Sequence, residues 1–199
     1  MCGRYYVSDR TARKIEKMIQ NSGSGIGRVP QGDIHPAEDA LAFFAGNNSE
    51  DKTFDVKLFS WGFKSKESGG LIINARVETV QKRAMFRDSI RSRRCFLPAS
   101  SFYEWNSEKE KFTYTRPDGD TIFLAGFYQL FDDRNHFVIL TTAPNNSVAK
   151  VHDRMPLILE KKQLGDWIYD VSAAEQILKQ VPVQLESSTE YEQQTLKFD

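Results

Sequence analysis

The chain has 199 residues, a length that fits one domain able to bury its own core. Its 27 basic residues balance 27 acidic residues, so the global charge argues for no partner and any nucleic-acid surface must come from local segregation of charge. The two cysteines, Cys2 and Cys95, lack metal-ligand spacing, and no apolar run fits a signal peptide or a membrane span, which indicates a reducing, cytoplasmic setting without metal or membrane.

The first half of the chain predicts short strands around one amphipathic helix. In chain order the predicted elements are a strand at 5–7, a helix that Ser8 or Asp9 caps and that carries Ala12, Ile15 and Ile19 on one face, a loop at 21–27, a strand at 41–44, a polar turn at 47–52, a half-buried strand from residue 54, a polar loop at 64–70 and an apolar run at 71–79 that ends in polar residues.

The second half combines further strands with three helices. Its predicted elements are an amphipathic helix in the basic stretch 82–94, a strand at 94–98, an aromatic cluster at 102–105, strands at 112–115 and 122–127 joined by a hairpin turn at 117–120, a β-rich run at 136–142, a strand at 157–159, a helix around Leu164, Trp167 and Ile168, a helix behind a capping box at 172–175, and a loose C-terminal tail at 186–199.

Many short strands with helices near both ends favour the α+β class, because the βαβ alternation of a parallel sheet is absent. We expect a single domain over residues 1–199. Its core should be a mostly antiparallel bent sheet or a partial β-barrel, flanked by helices.

The start of the chain could be unusually reactive. If Met1 is removed, Cys2 presents a free α-amine and a thiol on adjacent carbons. The reference pKa values of these groups are about 7.7–8.0 and about 8.5, so a modest downward shift would activate the thiol. An aldehyde would be captured as an imine that the thiol closes into a thiazolidine ring, whereas an acyl group would be taken by the thiol. On Met1 and Cys2 alone, an accidental cysteine is the simpler interpretation.

Five motifs change that interpretation. They are Met-Cys-Gly-Arg-Tyr at 1–5, Ile-Asn-Ala-Arg-Val-Glu-Thr at 73–79, Arg-Cys-Phe-Leu-Pro-Ala at 94–99, Phe-Tyr-Glu-Trp at 102–105 and Val-His-Asp-Arg-Met-Pro at 151–156. In this order they resemble the SOS response-associated peptidase family, also called abasic-site processing proteins. The resemblance runs from Met1 to about Leu159 and implies a β-rich core with a basic cleft.

The resemblance also implies a reaction. Cys2, freed of Met1, would capture the ring-opened aldehyde of an abasic site in single-stranded DNA and form a thiazolidine crosslink, without a cofactor. The implied setting is DNA repair in the SOS response, by a monomer acting at single-strand sites or junctions. The peptidase (hydrolase) name reflects self-processing of the N-terminus, and lyase activity is a related expectation.

Site residues follow from the matched positions. The expected catalytic residues are Cys2, Asn74, Glu104 and His152. Asn74 would hydrogen-bond near Cys2, Glu104 would shuttle protons with a pKa raised by apolar neighbours, and His152 would protonate the sugar oxygen. The structural alternatives are a strand-end cap for Asn74, a surface side chain for Glu104 and a packing role for His152.

The DNA-binding residues expected from the same motifs are Arg4, Trp61, Arg76, Trp105 and Thr141. The two arginines are candidate phosphate ligands, the two tryptophans offer faces on which bases could stack, and Thr141 could contact the DNA backbone. Core packing is the alternative for the tryptophans, above all for Trp61.

The chain departs from the family pattern at two places. Asp33-Ile34-His35-Pro36 replaces an Asn-Val-Ala-Pro-like segment, and an aspartate there would repel phosphate. After Leu159 only Val181-Pro182-Val183 matches the pattern. Two other functions stay open at this point, a Cys2-dependent thiol peptidase acting on other proteins and a noncatalytic module that binds single-stranded DNA.

Overall fold

The computed structural model describes residues 2–20, 28–46, 52–65 and 69–189. The predicted loop at 21–27, most of the predicted turn at 47–52 and the last ten residues of the predicted tail lie outside these ranges.

Within the described ranges, most of the regular structure is extended. The strands are β1 (Tyr5–Val7), β2 (Gly32–Ile34), β3 (Asp39–Ala45), β4 (Phe54–Trp61), β5 (Phe63–Lys64), β6 (Leu71–Ile72), β7 (Asn74–Arg76), β8 (Arg94–Ala99), β9 (Ser101–Trp105), β10 (Lys111–Thr115), β11 (Ile122–Phe131), β12 (Arg134–Thr142), β13 (Met155–Pro156), β14 (Ile158–Leu159) and β15 (Glu186–Thr189). The helices are α1 (Asp9–Gln20), α2 (Val77–Val80), α3 (Ala84–Ser92), α4 (Leu164–Tyr169) and α5 (Val171–Ile177), with a 3₁₀ turn at Lys161–Gln163. No helix in the described part of the chain has both the length and the apolar character needed to cross a membrane.

Five strands close into a barrel in the order β12, β4, β3, β8 and β11, which pairs back to β12. The pairing of β12 with β4 is parallel, and the other four pairings are antiparallel. The predicted α+β class and mostly antiparallel barrel core are therefore confirmed. Closure goes further than the predicted partial barrel, and it leaves none of these five strands with an open edge along its paired length.

Aromatic side chains fill the barrel and its surroundings. Phe43 and Phe96, on the adjacent strands β3 and β8, stack with ring centres 5.0 Å apart. Both rings are buried, and each contributes about 1.5–3 kcal/mol of apolar burial. Outside the barrel, α1 buries Ala12, Ile15 and Ile19, the predicted face. Its N-terminus is capped as predicted, because the Ser8 hydroxyl accepts a hydrogen bond from the Thr11 N–H at 3.2 Å.

A second sheet carries the N-terminus. Its order is β15-β10-β9-β1-β2, so β1 lies between β2 and β9. Tyr5 is opposite Phe102, and the Tyr103 N–H donates to the Arg4 carbonyl at 3.1 Å. This pairing brings the first residues of the chain beside the strand that carries Glu104.

The short strand β7 adds to the barrel strand β12 in parallel. Asn74 is opposite Ile139, and Arg76 is opposite Thr141. Because β12 runs on to pair with β13, whose first residue is Met155, the motifs at 73–79 and 151–156 meet at the same end of β12.

A buried arginine connects two helices to the barrel. Arg94, the first residue of β8, is 5% exposed. Its guanidinium donates to the carbonyl oxygens of Ile90 and Arg91 at the end of α3, and of Trp167 and Ile168 near the end of α4. These are orphan carbonyls of helix C-termini, which favour a positive charge. The helix predicted for the basic stretch 82–94 forms only as α3, which ends at Ser92. Arg94, the last arginine of the stretch, begins β8 and is buried.

The predicted hairpin between 112–115 and 122–127 is wrong. A turn does form, because the Gly119 N–H donates to the Arg116 carbonyl at 3.0 Å, but β10 pairs with β9 and β15 whereas β11 pairs with β8, β12 and β14. The two strands enter different sheets. The tight hairpin joins β11 to β12 instead, through Asp132 and Asp133 at φ +47° and +62°. Both values fit a type I′ turn, which aspartate can adopt without glycine.

Two C-terminal predictions are also corrected. Helix α5 begins at Val171, and the Asp170 carboxylate caps it by accepting from the Ala173 N–H at 2.9 Å. Ser172 therefore lies inside the helix and does not start a capping box. The predicted loose tail begins too early, because Glu186–Thr189 form β15 and pair with β10. All four residues of this strand are polar and three of its side chains are exposed, so the strand has no apolar signal in the sequence.

Candidate active site

Cys2 lies buried where the two sheets meet. Its side chain is fully buried, and its carbonyl oxygen accepts a hydrogen bond from the Asn74 side-chain amide at 2.9 Å. The thiol donates to the Arg4 carbonyl, with 3.8 Å between sulfur and oxygen. Asn74 reaches Cys2 because β7 fixes it against β12, so a residue of the barrel holds the start of the chain.

The surroundings of Cys2 keep its thiol neutral. Burial raises the pKa of the Cys2 thiol far above its ordinary value, and the negative charge on Glu104 raises it further. This shift is opposite in direction to the one that would activate the thiol. The thiol is therefore not a ready nucleophile near neutral pH, and a base must take its proton before or during any attack.

Glu104 and His152 form a proton-handling pair beside Cys2. Glu104 is 1% exposed on the inner face of β9, and burial raises its pKa from 4.5 to about 7. Its Oε2 lies 3.8 Å from His152 Nε2. A carboxyl with a pKa near neutrality can both accept and return a proton. The surface alternative for Glu104 is thereby excluded.

Local contacts orient the His152 ring. The Arg154 backbone N–H donates to His152 Nδ1 at 3.0 Å, and the other ring nitrogen, Nε2, faces Glu104. Burial lowers the pKa of His152, although the carboxylate of Asp153, 2.9 Å from Nδ1, acts in the opposite direction. The ring is thus mainly neutral at neutral pH and presents Nε2 to Glu104.

An ion pair fastens this end of β12. Arg154 donates to both carboxylate oxygens of Glu78, at 2.7 and 3.0 Å, and to the Thr141 carbonyl at 2.6 Å. The hydrogen bonds from Arg154 lower the pKa of Glu78. The pair connects the motif at 73–79 to the motif at 151–156. This ion pair was not predicted from the sequence, although the opposite charges of Glu78 and Arg154 in two matched motifs were a signal for it.

Two predicted DNA contacts are corrected by burial. Thr141 is fully buried and its carbonyl is taken by Arg154, so it cannot contact the DNA backbone in this conformation. Trp61 is also fully buried, stacks on Phe137 with centres 5.9 Å apart, and donates from Nε1 to the Ile73 carbonyl at 3.0 Å. It offers no face to a base, and its packing steadies the backbone just before Asn74.

The exposed Arg76 borders a pocket next to Asn74. The pocket has a volume of about 350 Å³ and is lined by Asn74, Ala75, Arg76, Thr79, Arg83 and Phe86. Arg76 makes no ion pair with a carboxylate in the described ranges, so its charge is accessible to a ligand. The sequence indicated Arg83 only as one cation of the basic stretch, and the structure adds it to this wall.

Arg4 and Trp105 lie together on the outer face of the second sheet. The Arg4 guanidinium carbon lies 5.4 Å from the Trp105 ring centre and 6.0 Å from that of Tyr103. Both rings are partly exposed, so this face combines a cation with aromatic surface, as single-strand binding surfaces do. Arg4 also pairs with Asp33, with 3.8 Å between Nη1 and Oδ2.

Comparisons with known proteins match the chain to one sequence family. The sequence model of the SOS response associated peptidase (SRAP) family matches residues 1–195, well beyond the motif ending at 156. The abasic site processing protein YoaM of Bacillus subtilis is 29% identical over 180 residues, covering 84% of this chain and 79% of the relative. The abasic site processing protein YedK of Escherichia coli is 28% identical over 183 residues, covering 84% and 79%.

Solved structures share the fold. A protein from Bacteroides thetaiotaomicron superposes with a TM-score of 0.76 at 20% identity, covering 94% of this chain and 91% of the other. A phage-related protein from Bordetella bronchiseptica gives 0.72 at 22% identity, covering 94% and 93%. At this identity the likeness concerns the fold alone.

Proposed function

This chain belongs to the SOS response-associated peptidase family, and on that premise we propose that it processes abasic sites in single-stranded DNA through a covalent bond to Cys2. The names of the family relatives support abasic-site processing as the general role. The observation that best supports the specific chemistry is the hydrogen bond from Asn74 to the Cys2 carbonyl, beside the pair of Glu104 and His152.

The proposal requires that Met1 is removed. While Met1 is attached, the Cys2 nitrogen belongs to a peptide bond, and resonance makes it a poor nucleophile. Removal yields an α-amine whose reference pKa is about 7.7–8.0, so part of it is unprotonated near neutral pH. Asn74 holds the carbonyl side of Cys2, and Glu104 lies near enough for its charge to act on the Cys2 thiol, so the proposal puts the new amine beside Glu104 and His152.

The amine reacts before the thiol. An abasic sugar in its ring-opened form carries an aldehyde, and the amine adds to that carbon to give a carbinolamine. Loss of one water leaves an imine. The thiol sulfur then adds to the same carbon, its proton ends on the nitrogen, and a five-membered thiazolidine ring is formed. A thiol with a raised pKa suits a reaction in which the amine acts first, since the thiol remains protonated until it adds to the imine carbon.

Glu104 and His152 handle the protons of these steps. The imidazolium form of His152, which is the minor form near neutral pH, can protonate the sugar ring oxygen from Nε2 as the ring opens, because Nε2 is the nitrogen that faces Glu104. Glu104, with a pKa of about 7, can accept a proton from the amine and give one to the departing water. Positioned groups of this kind contribute about 10²–10⁴-fold in rate.

DNA is held by contacts that do not read sequence. Arg76 beside the pocket and Arg4 with Trp105 on the outer face offer cations for phosphates and a ring for a base. Such contacts are sequence-independent, which fits a lesion that has no base.

The thiol-peptidase alternative is less well supported by the same geometry. A cysteine peptidase depends on a thiolate, whereas both burial and Glu104 hold the Cys2 thiol protonated. Imine chemistry needs only a neutral amine at the start. We therefore favour aldehyde capture over attack on peptide bonds.

A denaturing gel tests the proposal. Protein shown by mass spectrometry to lack Met1 is incubated with single-stranded DNA bearing one abasic site. We expect a heat-stable adduct whose linked residue maps to Cys2. Protein that retains Met1 should give none, and Cys2→Ala should give at most an imine that needs reductive trapping. Cys95→Ala is the matched control, because Cys95 is equally buried but has no amine partner. A stable adduct in Cys2→Ala, or one mapped to a lysine, would overturn the mechanism.

A further inference from the structure

Asp33 is an acidic residue that lies beside Arg4 on the outer face of the second sheet. It stands on β2 opposite Tyr6 of β1, so it faces the same side of the second sheet as Arg4 and Tyr103. One carboxylate oxygen lies 3.8 Å from Arg4 Nη1, and the other accepts a hydrogen bond from the Tyr103 hydroxyl at 3.0 Å. The phenol therefore fixes the carboxylate beside the guanidinium.

We propose that Asp33 competes with DNA phosphate for Arg4 and thereby keeps the noncovalent binding of undamaged single strands weak. This inference rests on the proposed function. Its ligand is the phosphodiester backbone of single-stranded DNA, and its effect is on affinity and salt dependence before any covalent step.

The fold has little use for this ion pair. The two side chains are 33% and 39% exposed, and a pair at 3.8 Å between such groups contributes little to stability. Yet a phosphate bound to Arg4 would also lie close to the Asp33 carboxylate, which repels it. The carboxylate offsets part of the guanidinium charge in advance, so fewer counterions are released from DNA when it binds there.

This arrangement divides recognition between two steps. A strand without damage has only the phosphate and stacking contacts, and Asp33 weakens the phosphate part. A strand with an abasic site gains the covalent bond to Cys2, which does not depend on Arg4. Weak noncovalent binding thus lets intact DNA leave, while the lesion is retained by chemistry.

Asp33→Asn tests the inference, because it keeps the shape and removes the charge. Binding to an undamaged single-stranded oligonucleotide is followed by fluorescence anisotropy across a salt series. We expect roughly three- to tenfold tighter binding at about 50 mM salt, and a plot of log K against log salt that is steeper by about 0.7, the value for one additional phosphate contact on a single strand. The rate of crosslinking at saturating abasic DNA should stay within about twofold, because the variant leaves the proton handlers untouched.

Asp132→Asn is the matched control. Asp132 is exposed at the β11–β12 turn, pairs with Lys64 at 3.0 Å, and gives the same change in net charge. It also has a positive φ that asparagine tolerates. Both variants are first compared with the parent protein by thermal melting, so that only folded proteins are assayed.

An Arg4→Gln background identifies the path of the effect. If Asp33 acts through Arg4, adding Asp33→Asn there should restore much less affinity than it does in the parent protein. An equal gain in both backgrounds, or a gain no larger than that of Asp132→Asn, would overturn the competition. If Asp33→Asn tightens binding while the parent protein forms no crosslink, the proposed covalent function fails and the competition stands. If the parent protein binds no single-stranded DNA, both are wrong.

Discussion

Replacing Glu104 by glutamine should remove a pH dependence of stability that the site imposes on the whole protein. The carboxyl is 1% exposed, and burial raises its pKa from 4.5 to about 7. A group whose pKa is raised on folding contributes its full stabilisation when the pH is below the pKa of the unfolded state. That contribution is lost as the pH rises through the folded-state pKa of about 7. Glutamine has nearly the same shape and cannot ionise.

The size of the effect follows from the two pKa values. At ~1.4 kcal/mol for each tenfold change in proton binding, a rise from 4.5 to about 7 disfavours the buried carboxylate by ~3 kcal/mol. Part of this loss has occurred by pH 5, so ~2–3 kcal/mol remains to be lost between pH 5 and pH 9.

Urea unfolding at pH 5 and at pH 9 measures this loss. Subtracting the curve of Glu104→Gln from that of the parent protein removes the titration of all other groups, to the extent that they are independent of Glu104. The parent protein should lose ~2–3 kcal/mol more of its unfolding free energy than the variant over this range. Glu108→Gln, exposed on the turn between β9 and β10, controls for the charge change and should follow the parent protein.

Crosslinking kinetics give a second measurement on the same variant. If Glu104 accepts the amine proton, the rate of the parent protein should rise through about pH 7, and this step should vanish in Glu104→Gln together with about 10²-fold or more of the rate. Parallel stability curves for the two proteins would refute the raised pKa. An unchanged rate profile would assign Glu104 to packing.

Two further substitutions probe the pocket next to Asn74 and the barrel. Arg76→Ala should weaken binding to single-stranded DNA similarly across sequences and flatten the salt slope by about 0.7 in a filter-binding series, because its side chain is exposed and makes no ion pair at contact distance in the described ranges; an unchanged slope would contradict a phosphate contact. Cys95→Ser should leave crosslinking intact yet lower the unfolding free energy by about 1–3 kcal/mol in urea titration, since it places a hydroxyl in a fully buried site, and a crosslinking defect in the folded variant would show that Cys95 takes part in the reaction.

The sequence could predict much of the site because its chemistry is written in short motifs. Glu104 lies among aromatic residues, and a raised pKa follows from that composition alone. Asn74 was expected near Cys2, but its hydrogen bond to the Cys2 carbonyl depends on the parallel pairing of β7 with β12. That pairing joins segments about 65 residues apart in the chain, and no local pattern encodes it.

Tertiary pairing also explains the wrong predictions. The turn near Gly119 has good local turn chemistry, yet the strands on either side find better partners in two different sheets. Trp61 follows an alternating strand and could have faced either way; the closed barrel places it inside. Asp132 and Asp133 form the tight hairpin although neither is glycine, because the long pairing of β11 with β12 imposes their positive φ.

The anchoring of Arg94 makes the scaffold less sensitive to salt than the exposed charges on its surface. Ions in solution screen attractions between exposed charges, but hydrogen bonds from a buried guanidinium to carbonyl oxygens are screened much less. The guanidinium also stays protonated across the pH range in which proteins are studied. The joint between α3, α4 and β8 therefore tolerates salt concentrations that would release a strand of DNA from the exposed arginines. Eluting bound DNA with salt should leave behind a protein that is still folded and ready for another round of binding.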